Sequence, residues 1–199
     1  MTTDIFYKET LNLFYLRLIF EEKLKINRNM TLTATDLDYK KSPIFQLADH
    51  SRVWIYQSNR PFSEREQIVL TSQINAFVQD WAAHGRDLLA SGAVLLDQFI
   101  VLAVDEQQSG ASGCSIDKSV NFIKELADQY DVSLFDRMTF TFLQDNKVQT
   151  ATSSNFKRLF TEGSISKDTF VFDNLVNNVG DLKTAWLKPL ALSWHKRFV

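Results

Sequence analysis

The clearest periodic signal in the chain lies over residues 52–57, where Arg52-Val53-Trp54-Ile55-Tyr56-Gln57 alternates β-branched and aromatic positions. A period of two sends successive side chains to opposite faces, so this run predicts a strand whose two faces are used differently. Ser58-Asn59-Arg60-Pro61 breaks the pattern, and Ser63-Glu64-Arg65-Glu66 forms a capping box that starts a helix. Leu70, Ile74, Phe77, Val78 and Trp81 make one apolar face of that helix, near 64–84, with His84-Gly85 as its stop. Residues 92–104 hold two apolar runs separated by Asp97-Gln98, which predicts a tight hairpin; periodicity leaves a single buried helix as the alternative. A polar loop over 105–113 leads to a helix capped by Ser115 or Asp117, with Ile116, Val120, Ile123, Ala127 and Tyr130 on one face. Met138-Thr139-Phe140-Thr141-Phe142 alternates again and predicts a strand. The order β-α-β-β-α-β over 52–143 predicts an α+β fold, a ferredoxin-like split βαββαβ sheet with a carboxyl-terminal α/β extension.

The flanks are less regular. Residues 1–30 form an amino-terminal extension, read either as an amphipathic helix or as a non-native stretch upstream of a start at Met30. Its apolar run is interrupted by Arg17 and bracketed by Glu9 and Glu21-Glu22, too short to span a bilayer, so no membrane partner is expected. Residues 31–51 read as a lead-in loop, and 144–199 as an extension packed on the core. That extension predicts a helix near 155–161, a strand over 169–172 and a final helix bent at Pro189; Trp186, Trp194 and Phe198 are expected to pack against the main sheet.

Composition narrows the classes. With 22 basic and 24 acidic residues the chain carries a formal charge of −2, so no global basic field draws it to nucleic acid. Trp54, Tyr56, Phe140 and Phe142 could stack on bases, but Ile100-Val101-Leu102-Ala103-Val104 is wholly apolar where an RNA-recognition module needs its motif, so these aromatics are expected under the carboxyl-terminal segment. Cys114 is the single cysteine, which excludes an intramolecular disulfide and fits a cytoplasmic protein. No H-x-x-x-H, H-E-x-x-H or C-x-x-C spacing occurs and the Asp105-Glu106 pair lacks a third ligand, so no metal site is assigned and no cofactor is identified.

Placing the candidate site depends on the sheet. If the first and third strands are parallel central neighbours, their carboxyl-terminal ends share one edge, bringing Asn59 and Arg60 to Asp105, Glu106, Gly113, Cys114 and Ser115. Arg60 with the Gly113 and Ser115 amides would then hold a carboxylate or phosphate. The competing reading pairs Arg60 with Asp105 or Glu106 and leaves the rest as caps and turns. Cys114 before a helix has the position of an activated thiol, but it lacks a partner, because His84 falls at the far end of its helix and His50 and His195 lie in segments the pattern does not place. Ser115-Ile116-Asp117-Lys118 matches S-x-x-K without its companion motifs, and Asp117 stands where a phosphate-binding loop needs its second glycine.

Val53 to Arg60, Phe99 to Glu106, Gly113 to Asp117 and Ser193-Trp194-His195-Lys196-Arg197 together resemble a family of small uncharacterised bacterial proteins often labelled ABC transporter ATPase. The resemblance covers about residues 47–198. The label implies ATP hydrolysis, yet no intact Walker A, strand-borne Walker B acid or L-S-G-G-Q occurs, and no catalytic residue is carried over. The expectation is a non-catalytic module that binds a small anionic ligand or a protein partner, with an enzyme using Cys114 or Asp105 and Glu106 as the alternative. A homo-oligomer through the sheet face or the amino-terminal segment is the third.

Overall fold

Residues 38–83, 86–87, 89–105, 113–145 and 147–199 are described by the structure, a computed structural model. The amino-terminal segment, whether helix or non-native start, and Glu106 lie outside these residues.

Strand β1 (Arg52–Gln57) leads through helix α1 (Glu64–Asp80) to a hairpin of β2 (Leu89–Leu95) and β3 (Phe99–Asp105), and helix α2 (Gly113–Tyr130) follows. The capping box forms as the sequence predicts: Ser63 Oγ accepts from the Glu66 amide, and the Glu66 carboxylate accepts from the Ser63 amide at 2.7 Å. Helix α1 ends at Asp80, short of the expected stop, because Trp81 turns extended and buries its indole, whose Nε1 donates to the Ser115 carbonyl at 3.0 Å. The short strands Ala82–Ala83 and Arg86–Asp87 pair with each other before β2. Residues 92–104 belong to the hairpin rather than to a helix.

The sheet order is β1-β3-β2, antiparallel throughout, with Arg52 opposite Val104 and Gln57 opposite Phe99. The expectation that the first and third strands run parallel is therefore wrong. Crossover helix α1 returns the chain so that β2 runs in the direction of β1 one place away, and the hairpin sends β3 back through the gap. Strand β3 is buried on both faces and takes the centre. Ile100, Leu102 and Val104 pack under Leu70, Ile74, Phe77, Ile123 and Leu126 of the two helices. Phe99, Val101 and Ala103 pack on the other face against Tyr39, Ile44, Phe172, Val179, Leu182 and Trp186.

The fourth predicted strand, β4 (Thr139–Gln144), does not join this sheet. It pairs with β5 (Lys147–Thr152); helix α3 (Ser153–Thr161) follows, and β6 (Phe170–Phe172) and, after helix α4 (Val179–Thr184), β7 (Leu187–Pro189) complete a second antiparallel sheet of order β5-β4-β6-β7. The ferredoxin-like four-stranded sheet is thus not completed, and its outer place beside β1 is taken instead. The Val53 amide donates to the Asn177 carbonyl and the Val179 amide to the Ser51 carbonyl, both at 2.9 Å, so residues 177–179 close that edge. What is established among the described residues is an α+β architecture whose larger sheets, of three and four strands, are both antiparallel.

Further corrections follow from this division. Trp186 packs on the first sheet as expected, but Trp194 and Phe198 pack on the second, around Phe140, Phe142 and Phe156. Trp54 and Tyr56 lie beneath α1 and α2, not under the carboxyl-terminal segment. Pro189 does not bend a helix; it sits in the edge strand β7, where a missing N–H donor is tolerated. The sheets are joined by a relay of side chains: Trp186 Nε1 donates to Asn174 Oδ1, Asn174 Nδ2 to Gln57 Oε1, and Gln57 Nε2 to the Thr139 carbonyl, at 2.9, 2.9 and 3.0 Å. Among the described residues no helix is long and apolar enough to cross a membrane.

Candidate functional site

Because β1 and β3 are antiparallel, the residues following them lie at opposite ends of the sheet, and the expected convergence of Arg60 with Asp105 does not occur. At the end where β1 finishes, Arg60 is committed to structure. Its Nη1 and Nη2 donate to the two carboxylate oxygens of Glu66 at 3.0 and 2.9 Å, and Nη2 also donates to the Tyr130 carbonyl at 2.6 Å. One guanidinium therefore ties the first turn of α1 to the last turn of α2, a fork geometry that lysine does not supply. The Arg60 hydrogen bonds and then the Ser63 amide hold the Glu66 carboxyl well below its ordinary range, at about 2, while Glu66 raises the Arg60 guanidinium. Asn59 is occupied as well: its amide donates to the Ser133 carbonyl and its Oδ1 accepts from the Ser133 amide. Both residues are clamps between a loop and a helix end.

The other end of the sheet holds the remaining candidates together with residues that the sequence pattern did not single out. Gly113 begins α2 with open space around it, Cys114 is exposed beside it, and Ser115 is buried with its carbonyl bound to Trp81. Asp105 closes β3 with its side chain 14% exposed and accepts from His50 Nε2 at 3.1 Å. The register explains this meeting: Arg52 lies opposite Val104, so the chain just before β1 runs past the end of β3. A carboxylate only accepts, so the bond places a proton on Nε2, and in the neutral form of the imidazole the lone pair is then on Nδ1.

His50 and Arg52 share an open cleft of about 490 Å³ with Asn177 and Asn178. The Arg52 guanidinium carbon stands 4.7 Å from the centre of the Trp54 ring, over its face, a cation–π contact. Across the cleft, Asn178 caps α4, its Oδ1 accepting from the Asp181 amide at 2.7 Å and its Nδ2 donating to Asp181 and to Asn177 Oδ1. Asn177 has its oxygen engaged in that way and carries two amide N–H donors. The wall is anchored by the Gly180 amide, which donates to the Asp49 carbonyl, and by the Lys183–Asp49 ion pair. The cleft thus combines a guanidinium, an amide and an imidazole hydrogen-bonded to a carboxylate.

His195, the other histidine the sequence left unplaced, is buried at the far end of the chain. Its Nδ1 lies 2.7 Å from Ser193 Oγ, and it packs against Trp194 and the Phe140 edge. Burial pushes the imidazole down to about 4, with the Asp173 carboxylate opposing and the Lys188 ammonium reinforcing the shift. It is a neutral core residue. Among the described residues no group of three or more potential metal ligands gathers. Comparison with family models, with curated proteins and with solved structures finds no match.

Proposed function

We propose that this chain is a non-catalytic binding module for a small anionic ligand, held in the cleft formed by His50, Arg52, Asn177 and Asn178. The observation that carries the reading is the meeting of Arg52, stacked on Trp54, with side-chain amides across one open cavity of metabolite size. A guanidinium recognises carboxylate or phosphate by paired hydrogen bonds, and an adjacent amide adds a donor at low cost in ordering because both walls are backbone-anchored. The Asp105 carboxylate, which would repel an anion, is occupied with the His50 ring and mostly buried. The expected ligand class is kept and its place moves from Arg60 to Arg52.

The enzyme alternative finds less support. Cys114 is exposed on the first turn of α2, while His50 and His195 are engaged with Asp105 and Ser193. Membership of the family labelled ABC transporter ATPase rests on the residues quoted above, and we take no hydrolytic activity from the label. A single cysteine favours a cytoplasmic setting.

Titration with phosphate and with acetate, followed by amide NMR, tests the proposal. Resonances of residues 50–53 and 177–179 should shift with saturation, and Arg52→Met should abolish the effect while leaving the fold intact. Shifts absent from both segments at every concentration would refute it, and a chain that responds only to a protein carrying acidic side chains would transfer the cleft to a protein partner.

A further inference from the structure

We infer that the cleft selects anions carrying a hydroxyl group beside the charged group, a hydroxy acid or a phosphorylated polyol, and that Asp105 is the positioning residue for this selectivity. The inference rests on the proposed anion site and adds to it the chemistry of the His50 ring.

Asp105 Oδ1 lies 3.1 Å from His50 Nε2, and a carboxylate offers only lone pairs, so this nitrogen carries the hydrogen. In the neutral ring the other nitrogen, Nδ1, is then an acceptor without an attached proton. The half-buried carboxylate fixes this choice in the way that carboxylates hydrogen-bonded to metal-ligating and catalytic histidines do. The remaining lining groups named here are donors: the Arg52 guanidinium and the Asn177 amide N–H groups.

A site with donors on one side and one fixed acceptor on the other complements a ligand that has anionic oxygens and a neighbouring O–H. A bare anion satisfies the donors and leaves Nδ1 to water. The hydroxylated anion satisfies both, and one such hydrogen bond is worth about fivefold in affinity. Asn178 does not disturb the pattern, because its amide is consumed by Asp181 and Asn177. Volume does not restrict the choice, since about 490 Å³ admits glycolate and glycerol phosphate alike.

Two paired probes test the idea on the full chain: glycolate against acetate, and glycerol 3-phosphate against propyl phosphate. The hydroxylated member of each pair should bind about fivefold tighter. In His50→Phe the hydroxyl preference should vanish, and in Asp105→Asn it should shrink, because an amide no longer dictates one tautomer. A ligand-free readout accompanies these: the ¹⁵N shifts of the His50 ring, assigned by their loss in His50→Phe, should show hydrogen on Nε2 and not on Nδ1. Anions that bind with no hydroxyl preference, or a ring with hydrogen on Nδ1, would overturn the inference and leave the anion site standing. Failure of all four probes to bind would overturn the anion site itself and this inference with it. Preference in only one pair would identify the anionic group as carboxylate or phosphate.

Discussion

Gly92 lies where α1 crosses β2, and the sharpest quantitative prediction concerns the space around it. A Cβ built on Gly92 would stand 2.5 Å from Ile74 Cγ2, 3.0 Å from Leu102 Cδ2 and 3.2 Å from Val78 Cγ1. Non-bonded carbons sit comfortably at about 3.5–4.0 Å. Ile74 and Leu102 are fully buried, so neither can swing into solvent to make room. Gly92→Ala therefore requires the helix to lift or a core rotamer to change, at a cost of about 1–3 kcal/mol. Alanine also loses less backbone entropy on folding than glycine, a gain of about 0.5–1 kcal/mol. Taken at the middle of both ranges, the balance is a net loss of about 1 kcal/mol. In a domain of this size that lowers Tm by about 2–4 °C. Urea unfolding followed by circular dichroism should show an earlier midpoint at unchanged slope. Gly113→Ala is the control: nothing lies within 4 Å of the added carbon at the start of α2, so stability should hold or rise slightly. A Gly92→Ala protein as stable as the parent would refute the close approach of α1 to the sheet.

Three further outcomes follow from the structure. His195 has a folded pKa of about 4 against an ordinary value of 6.5, so the unfolded chain takes up the proton first. Stability from this residue is complete above pH 6.5, falls between 6.5 and 4 by about 3 kcal/mol and then levels; His195→Gln should flatten that part of a stability–pH curve, and an unchanged slope would count against the buried neutral ring. Glu66 behaves likewise at lower pH, since its carboxyl moves from 4.5 to about 2: its stabilisation is present above pH 4.5 and is lost as pH falls through 2. Arg60→Ala should lower the denaturation midpoint and raise the Glu66 carboxyl toward its ordinary range, while anion binding in the His50 cleft stays as in the parent; a loss of binding without loss of stability would return the site to Arg60.

Local signals in the sequence were strong where one short segment determines its own structure. The Ser63–Glu66 box starts α1 where it predicts, and the wholly apolar Phe99–Val104 run becomes a strand buried on both faces. Direction was the weak point. The alternation in β1 gives its two faces but not the polarity of its neighbours, so the pattern points Arg60 to Asp105 or Glu106, whereas its carboxylate partner is Glu66, six residues on, in the capping box itself. The cleft was legible only in part. Asp105 stood out as a strand-end carboxylate, but His50 lies in an irregular lead-in and Arg52 reads as the first residue of a strand. Asn177 and Asn178 reach them through an isolated bridge between positions 126 residues apart, and no periodicity announces such a contact.

The closure of the β1 edge by residues 177–179 also sets an order of events during folding. A nascent chain that has emerged as far as α2 can already form the β1-β3-β2 sheet and cover one face with its helices. Its outer strand edge, and the part of the apolar face bearing Phe99, Val101 and Ala103 that Tyr39 and Ile44 do not cover, then stay open until the segment from Phe172 to Trp186 arrives. Such an edge is a template for pairing with other chains, and the long sequence separation makes its closure a late step. The cleft comes into being at that same step, since one wall belongs to the early sheet and the other to the late segment. A small molecule that binds there would therefore act on the folding equilibrium as well as on the folded state, drawing newly made chains past the stage at which they are most prone to aggregate.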